Sequence, residues 1–171
     1  CGEPCPHETL YTDNDGHTEG ACTICGKKAA IAKIATTYYR DIAALNEAAK
    51  GVTGHPTLII LCDITGNLRL IKSEPTLEAG SYTINGALQV NSSTVTIQGG
   101  TYAKNAIFAN SVVTLEGGEC VGNVNISNTS KVTIKGGTFQ GTVAMRGQVT
   151  VTENAVFNNT VSISTGTATV E

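Results

Sequence analysis

One phrase recurs down the second half of the chain: VTIQGGTY at 95–102, VTLEGGEC at 113–120, VTIKGGTF at 132–139 and VTVTENAVF at 149–157. Successive copies begin about eighteen residues apart. A unit of that length cannot bury a core alone and must stack on its neighbours, which makes the chain a solenoid. Within each unit apolar and polar residues alternate with period two, the pattern of a strand with one face in and one face out.

Three ladders set the expected register. The strand before the glycines gives Val95/Ile97, Val113/Leu115, Val132/Ile134 and Val149/Val151. The large residue after them gives Tyr82, Tyr102, Cys120, Phe139 and Phe157. A further alternating pair gives Leu88/Val90, Ala106/Phe108, Val124/Ile126, Val143/Met145 and Val161/Ile163. Roughly five coils of about 18–20 residues, spaced about 4.8 Å apart, predict a rod about 25 Å tall. The glycine pairs at 99–100, 117–118 and 136–137 suit corners that L-residues resist. Asn91, Asn110 and Asn128 read as another corner, where left-handed backbone and side-chain hydrogen bonding are useful. Cys120, in the aromatic column, reads as a core filler, and Cys62 as a small buried hydrophobe.

Ahead of the repeats the pattern changes. Ala29 to Ala35 alternates as a short strand, with a turn near Thr36-Thr37. From Asp41 to Lys50, Ile42, Leu45, Ala48 and Ala49 share one helical face; Asp41 is placed to cap the helix and Gly51 to end it. Gly54-His55-Pro56 breaks the chain before the strand Thr57–Ile64, and leaves His55 in a loop. Such a helix has a purpose, because the first coil of a solenoid exposes apolar side chains and an unpaired edge. Ile42 and Leu45 are expected to cover it.

Residues 1–28 have almost no apolar content and hold four of the six cysteines. Cys22-Thr-Ile-Cys25-Gly26 forms a C-x-x-C-G knuckle, and Cys5-Pro-His7 supplies a second pair upstream. Two close pairs of thiolate and imidazole donors suit tetrahedral zinc, and Cys5, His7, Cys22 and Cys25 make a closed structural site. His17 is an alternative to His7, and Cys1 to Cys5. A disulfide framework is the competing reading in an exported protein, although it leaves the histidines without a purpose. Asp13-Asn14-Asp15-Gly16 resembles the start of a calcium loop but lacks the downstream glutamate, and reads as a turn. The domain plan is therefore 1–28 zinc-knuckle-like segment, 29–56 strand and capping helix, and 57–171 parallel β-helix.

The net charge of −3 gives no footprint for nucleic acid, and no apolar run is long enough to span a bilayer. The abrupt start at Cys1 and the strand-like GTATVE at 166–171 read as a piece of a longer protein, with end-to-end association through an open last coil as a further expectation.

The Cys/His knuckle, the segment from Tyr38 to Ala49 and the LIILCDIT strand resemble the lead-in to the β-helix of Gram-positive bacterial cell-surface proteins. The VTIKGGTF-type units resemble the right-handed, pectin-lyase-like solenoid itself. That resemblance implies an extracellular, surface-attached or secreted location. It implies a host or cell-wall glycan, or a host surface protein, as partner. The superfamily includes lyases, hydrolases, adhesins and passive stalks, so the fold alone does not select a function. Carbohydrate-cleaving members need clustered carboxylates, or a carboxylate with a basic partner, on one outer face. Between Asp63 and the final Glu171 the carboxylates are Glu74, Glu78, Glu116, Glu119 and Glu153, scattered along the repeats. Glu78, Gln98, Glu116 and Lys135 line up as an outward column, and Glu116 and Glu119 are the first residues to test for catalysis. The reading is a non-enzymatic surface module, an adhesin, stalk or glycan-binding segment with structural zinc. The alternative is a fragment of a β-helical polysaccharide lyase or glycoside hydrolase.

Overall fold

The computed structural model describes residues 30–152 and 154–171. Strands β1 (Ala32–Ile34) and β2 (Thr37–Tyr39) form a hairpin, followed by helix α1 (Ile42–Ala49). The chain then winds as a β-solenoid of about six turns. In chain order these hold β3 (Thr57–Ile60) and β4 (Leu68–Ile71); β5 (Thr76–Ile84) and β6 (Leu88–Asn91); β7 (Thr94–Tyr102) and β8 (Ala106–Ala109). Then come β9 (Val112–Leu115), β10 (Glu119–Cys120) and β11 (Val124–Ile126); β12 (Lys131–Ile134), β13 (Gly137–Phe139) and β14 (Val143–Met145). The last turn has β15 (Gln148–Val151), β16 (Ala155–Phe157) and β17 (Val161–Ile163), and β18 (Thr167–Val170) begins another.

Two parallel sheets run along the rod. The first stacks β3, β5, β7, β9, β12, β15 and β18; the second stacks β4, β6, β8, β11, β14 and β17. A short third row is made by the distal ends of β5 and β7 with β10, β13 and β16. The first-strand ladder holds its expected register, Val95 on Val113, Val113 on Val132 and Val132 on Val149. So does the second-sheet ladder, from Leu88/Val90 through Val143/Met145 to Val161/Ile163. Their inward residues fuse into one apolar cluster along the rod. Each fully buried Leu, Ile, Val or Phe contributes about 1.5–3 kcal/mol. At Val161 (38% exposed), Ile163 (53%) and Val170 (77%) the columns run out into solvent.

The third column differs from expectation in one coil. Tyr102 pairs with Ile84, not Tyr82, and Ile84 in turn meets Ile64. The cause is two register shifts in β5, between Glu78 and Gly80 and between Gly80 and Thr83, which add two residues to that corner. The column is therefore Ile64, Ile84, Tyr102, Cys120, Phe139 and Phe157, and Tyr82 packs half-buried beside it. The Phe139 and Phe157 rings stack at 4.9 Å and 16°, an arrangement worth about 0.5–1.5 kcal/mol beyond burial. The turn at 57–71 lacks the recurring phrase, which is why five coils are expected from the sequence where about six are found.

The corner joining the second sheet back to the first holds a polar spine. Lys72, Ser92 and Asn110 take left-handed backbone there (φ 51–52°). Only Asn110 of the three expected asparagines does so; the register gives the position to Ser92 in place of Asn91. The next residue is a buried serine, Ser73, Ser93 and Ser111, and Ser130 is the buried serine at the same position one coil on. Ser93 Oγ accepts the Ser73 N–H at 3.0 Å, Ser111 Oγ the Ser93 N–H at 3.2 Å, and Ser130 Oγ the Ser111 N–H at 3.3 Å. Each of these hydroxyls donates to a backbone carbonyl, Ser93 to Leu70 or Asn91, Ser111 to Ala109 and Ser130 to Phe108. Buried donors and acceptors are thus satisfied from coil to coil. Gly147 ends the series, where an added Cβ would collide with the Ser130 carbonyl.

The first turn is closed by two devices, one for each sheet. Strand β1 pairs antiparallel with β3, Ala32 opposite Ile60, and occupies the edge of the first sheet. Helix α1 covers the second sheet. Asp41 caps it by accepting the Ala44 N–H at 2.8 Å, and Gly51 (φ 72°) turns the chain away. Leu45 and Ala49 are buried under it, Ile42 is half-buried, and the Gly51 N–H donates to the Ile71 carbonyl at 3.0 Å. The expected helical cap is present, but it closes half of the end; the hairpin closes the other half. No helix among the described residues is long and apolar enough to cross a membrane.

Candidate functional site

The proposed zinc ligands Cys5, His7, Cys22 and Cys25, with the alternatives Cys1 and His17, lie outside the described residues. The outward column on the first sheet does form. Glu78 aligns with Gln98, Gln98 Nε2 donates to Glu116 Oε2 at 2.8 Å, and Lys135 Nζ donates to Glu116 Oε1 at 3.3 Å. The Gln98 amide and then the Lys135 ammonium hold the Glu116 carboxyl below the usual glutamate range. That is the opposite of what a general acid needs. Glu119 belongs to a separate chain, its Oε1 accepting from Gln140 Nε2 at 3.1 Å while Gln140 Oε1 accepts from Asn158 Nδ2 at 3.0 Å. Glu74 accepts from the Gly54 N–H and stands 4.0 Å from His55 Nε2. Glu153 is not among the described residues. Cys120 is buried, and burial first, with the Glu119 charge second, pushes its thiol up to about 12. A thiol so placed stays protonated and out of reach of solutes.

The outer face of the second sheet has a different chemistry. Its outward residues stack as Arg69, Gln89, Ile107, Asn125, Ala144 and Ser162, one per coil. The six strands contain no carboxylate, and Arg69 is their one charge. Arg146 follows β14 directly and Lys104 stands just before β8. Glu78, Glu116 and Glu119 sit on the first sheet or the third row. A chain of net charge −3 therefore carries one broad face with positive charge only.

A depression of about 190 Å³ opens on this face, lined by Ile107, Asn125, Ser127, Ala144 and Arg146 over the backs of Phe108 and Ile126. Register explains it. Ala144 lies one coil beyond Asn125 and two beyond Ile107, so a methyl stands where its neighbours have larger groups. Ile107 is 37% exposed and gives the depression an apolar wall. Arg146 and Ser127 occupy equivalent positions on adjacent coils, the Arg146 N–H donating to the Ile126 carbonyl at 3.0 Å. The Ser127 hydroxyl is held by Thr129, Ser130 and the Asn110 N–H. The exposed side chains of Asn125 and Arg146 make no hydrogen bond or ion pair with any described residue.

None of these lining residues stood out in the sequence. Asn125 reads as the polar partner in an alternating strand, and Arg146 as a scattered cation. The available signal was a negative one, the absence of Asp and Glu from every second-sheet strand. Comparison with protein-family models, with curated proteins and with solved structures gives no match.

Proposed function

We propose that the chain is a non-enzymatic module of an extracellular bacterial surface protein, and that it binds glycan along the outer face of its second sheet. The observation that carries this reading is the outer face of the second sheet, whose strands hold no carboxylate. On the first sheet Gln98 and Lys135 are tied to Glu116, and on the third row Gln140 is tied to Glu119. On the second, Arg69, Gln89 and Asn125 project free donors from a regular surface. Rows of amide and guanidinium donors with an apolar wall are what sugar hydroxyls and ring faces need. The lowered Glu116 supports an ion-pair role for the residue best placed to be tested as a catalyst.

Zinc in segment 1–28 belongs to the same proposal, on the chemistry of its donors: three thiolates and one imidazole from Cys5, Cys22, Cys25 and His7 match a closed tetrahedral structural site. Association through the exposed apolar residues of the last coil, Val161, Ile163 and Val170, completes it.

The test is a screen of the whole chain against immobilised pectins, mucin glycans and cell-wall glycans, with release of new sugar ends followed in parallel. Retention on at least one glycan without new ends supports the proposal. Turnover that disappears in Glu116→Gln or Glu119→Gln overturns it.

A further inference from the structure

The depression beside Arg146 narrows the ligand class, resting on the glycan-binding reading. We infer that it holds a single acidic sugar unit, with the anionic group on the Arg146 guanidinium, ring hydroxyls on the Asn125 amide and an apolar ring face on Ile107. Four observations converge on that assignment.

Size comes first. At about 190 Å³ the depression is smaller than the 300–1,000 Å³ of pockets for drug-sized ligands, and it suits one ring. Its openness to solvent suits a unit within or at the end of a longer chain. Charge comes second. Arg146 has no carboxylate partner among the described residues, and no strand of the sheet offers one. A guanidinium presents a planar fork that matches a carboxylate or sulfate through two parallel hydrogen bonds. Thirdly, Asn125 carries both donor and acceptor on one unpaired amide, as sugar hydroxyls require. The fourth is rigidity. Asn125 lies within β11, between β8 and β14, and Ser127 is fixed by three partners, so the site is formed before the ligand arrives.

Carboxylate and sulfate share this chemistry, and both are tested. The experiment is an amide-shift titration of the whole chain at low salt with glucuronate, glucose 6-sulfate and uncharged glucose. Glucuronate or the sulfate is expected to move the amides of Asn125, Ser127, Ala144 and Arg146, and glucose is not. The anion that binds tighter identifies the natural group. Arg146→Gln is expected to weaken binding about tenfold to a hundredfold, the worth of a charge-assisted hydrogen bond. Ala144→Leu, which fills the depression, is expected to abolish it, and Lys135→Gln on the first sheet to leave it unchanged. An unaltered spectrum away from the site confirms that each variant is folded. The inference is overturned if glucose moves the same amides equally, if Arg146→Gln binds as wild type does, or if no probe moves them. Retention of an uncharged glycan in any of those cases leaves the glycan-binding reading standing without this site.

Discussion

Asn46 closes the edge of the second sheet by pairing with the strand that carries Arg69. Its Oδ1 accepts the Arg69 backbone N–H at 2.8 Å, and its Nδ2 donates to the Asn67 carbonyl at 2.9 Å. One side-chain amide thus stands in for the neighbouring strand that β4 lacks. Helix α1 therefore does more than lay Leu45 on the apolar end; it completes the backbone bonding of that end.

The first prediction follows from this pairing. Asn46→Ala removes two hydrogen bonds and leaves strand groups half-exposed, which is expected to cost about 1–2 kcal/mol. Urea unfolding should show the midpoint falling with an unchanged slope. Because β4 becomes an open edge, the variant should also self-associate on sedimentation. Wild-type stability and behaviour would show that the amide contributes nothing.

The serine spine gives a second prediction. Ser111→Ala leaves the buried Ser93 N–H without its acceptor, a loss of about 1–3 kcal/mol. The neighbouring exposed Asn110→Ala should cost less, chiefly by placing alanine at φ 51°. Equal effects from the two substitutions in thermal unfolding would contradict a spine built on the buried hydroxyls.

Glu116 supplies a pH dependence whose sign is fixed by its partners. Its folded pKa lies below its unfolded value, so its contribution is present above the unfolded pKa and is lost as pH falls through the folded one. Carboxyl NMR titration should find Glu116 titrating below an ordinary glutamate. Gln98→Leu and Lys135→Met should each raise it, the Gln98 hydrogen bond being the largest single cause and Lys135 acting through both a hydrogen bond and its charge. High salt should weaken the lysine's share and spare the amide's.

How much of this could be read beforehand differs by element. The first-strand and second-sheet ladders were legible because Val95, Val113 and Val132 sit in unbroken alternation with near-constant spacing. Tyr82 misled because the two residues added in the corner after Glu78 shift the frame, and Tyr82 stands two places after Gly80 as Tyr102 does after Gly100. The serine spine was hidden because Ser93 and Ser111 have the composition of a loop, and only stacking makes them core. The hairpin edge was partly visible as a short strand around Ala32, but its antiparallel pairing with Ile60 is a tertiary choice. The depression at Ala144 exists only when three coils are superposed, so no local pattern announces it.

Segment 1–28 carries its own prediction. Elemental analysis of the purified chain should find one zinc per molecule, and Cys22→Ser or Cys25→Ser should lose it. A metal-free protein whose mass shows two disulfides among Cys1, Cys5, Cys22 and Cys25 would replace the zinc site with a cross-linked one.

One comparison tests the second sheet as the binding surface most directly. On the glycan that wild type selects, retention is measured for Gln89→Glu/Asn125→Asp on the second sheet and for Gln98→Ala/Lys135→Ala on the first, with new sugar ends assayed throughout. The second-sheet variant is expected to be released and the first-sheet variant to be retained as tightly as wild type, with no new ends formed. Retention of the second-sheet variant with release of the first, or cleavage of the glycan, would contradict it.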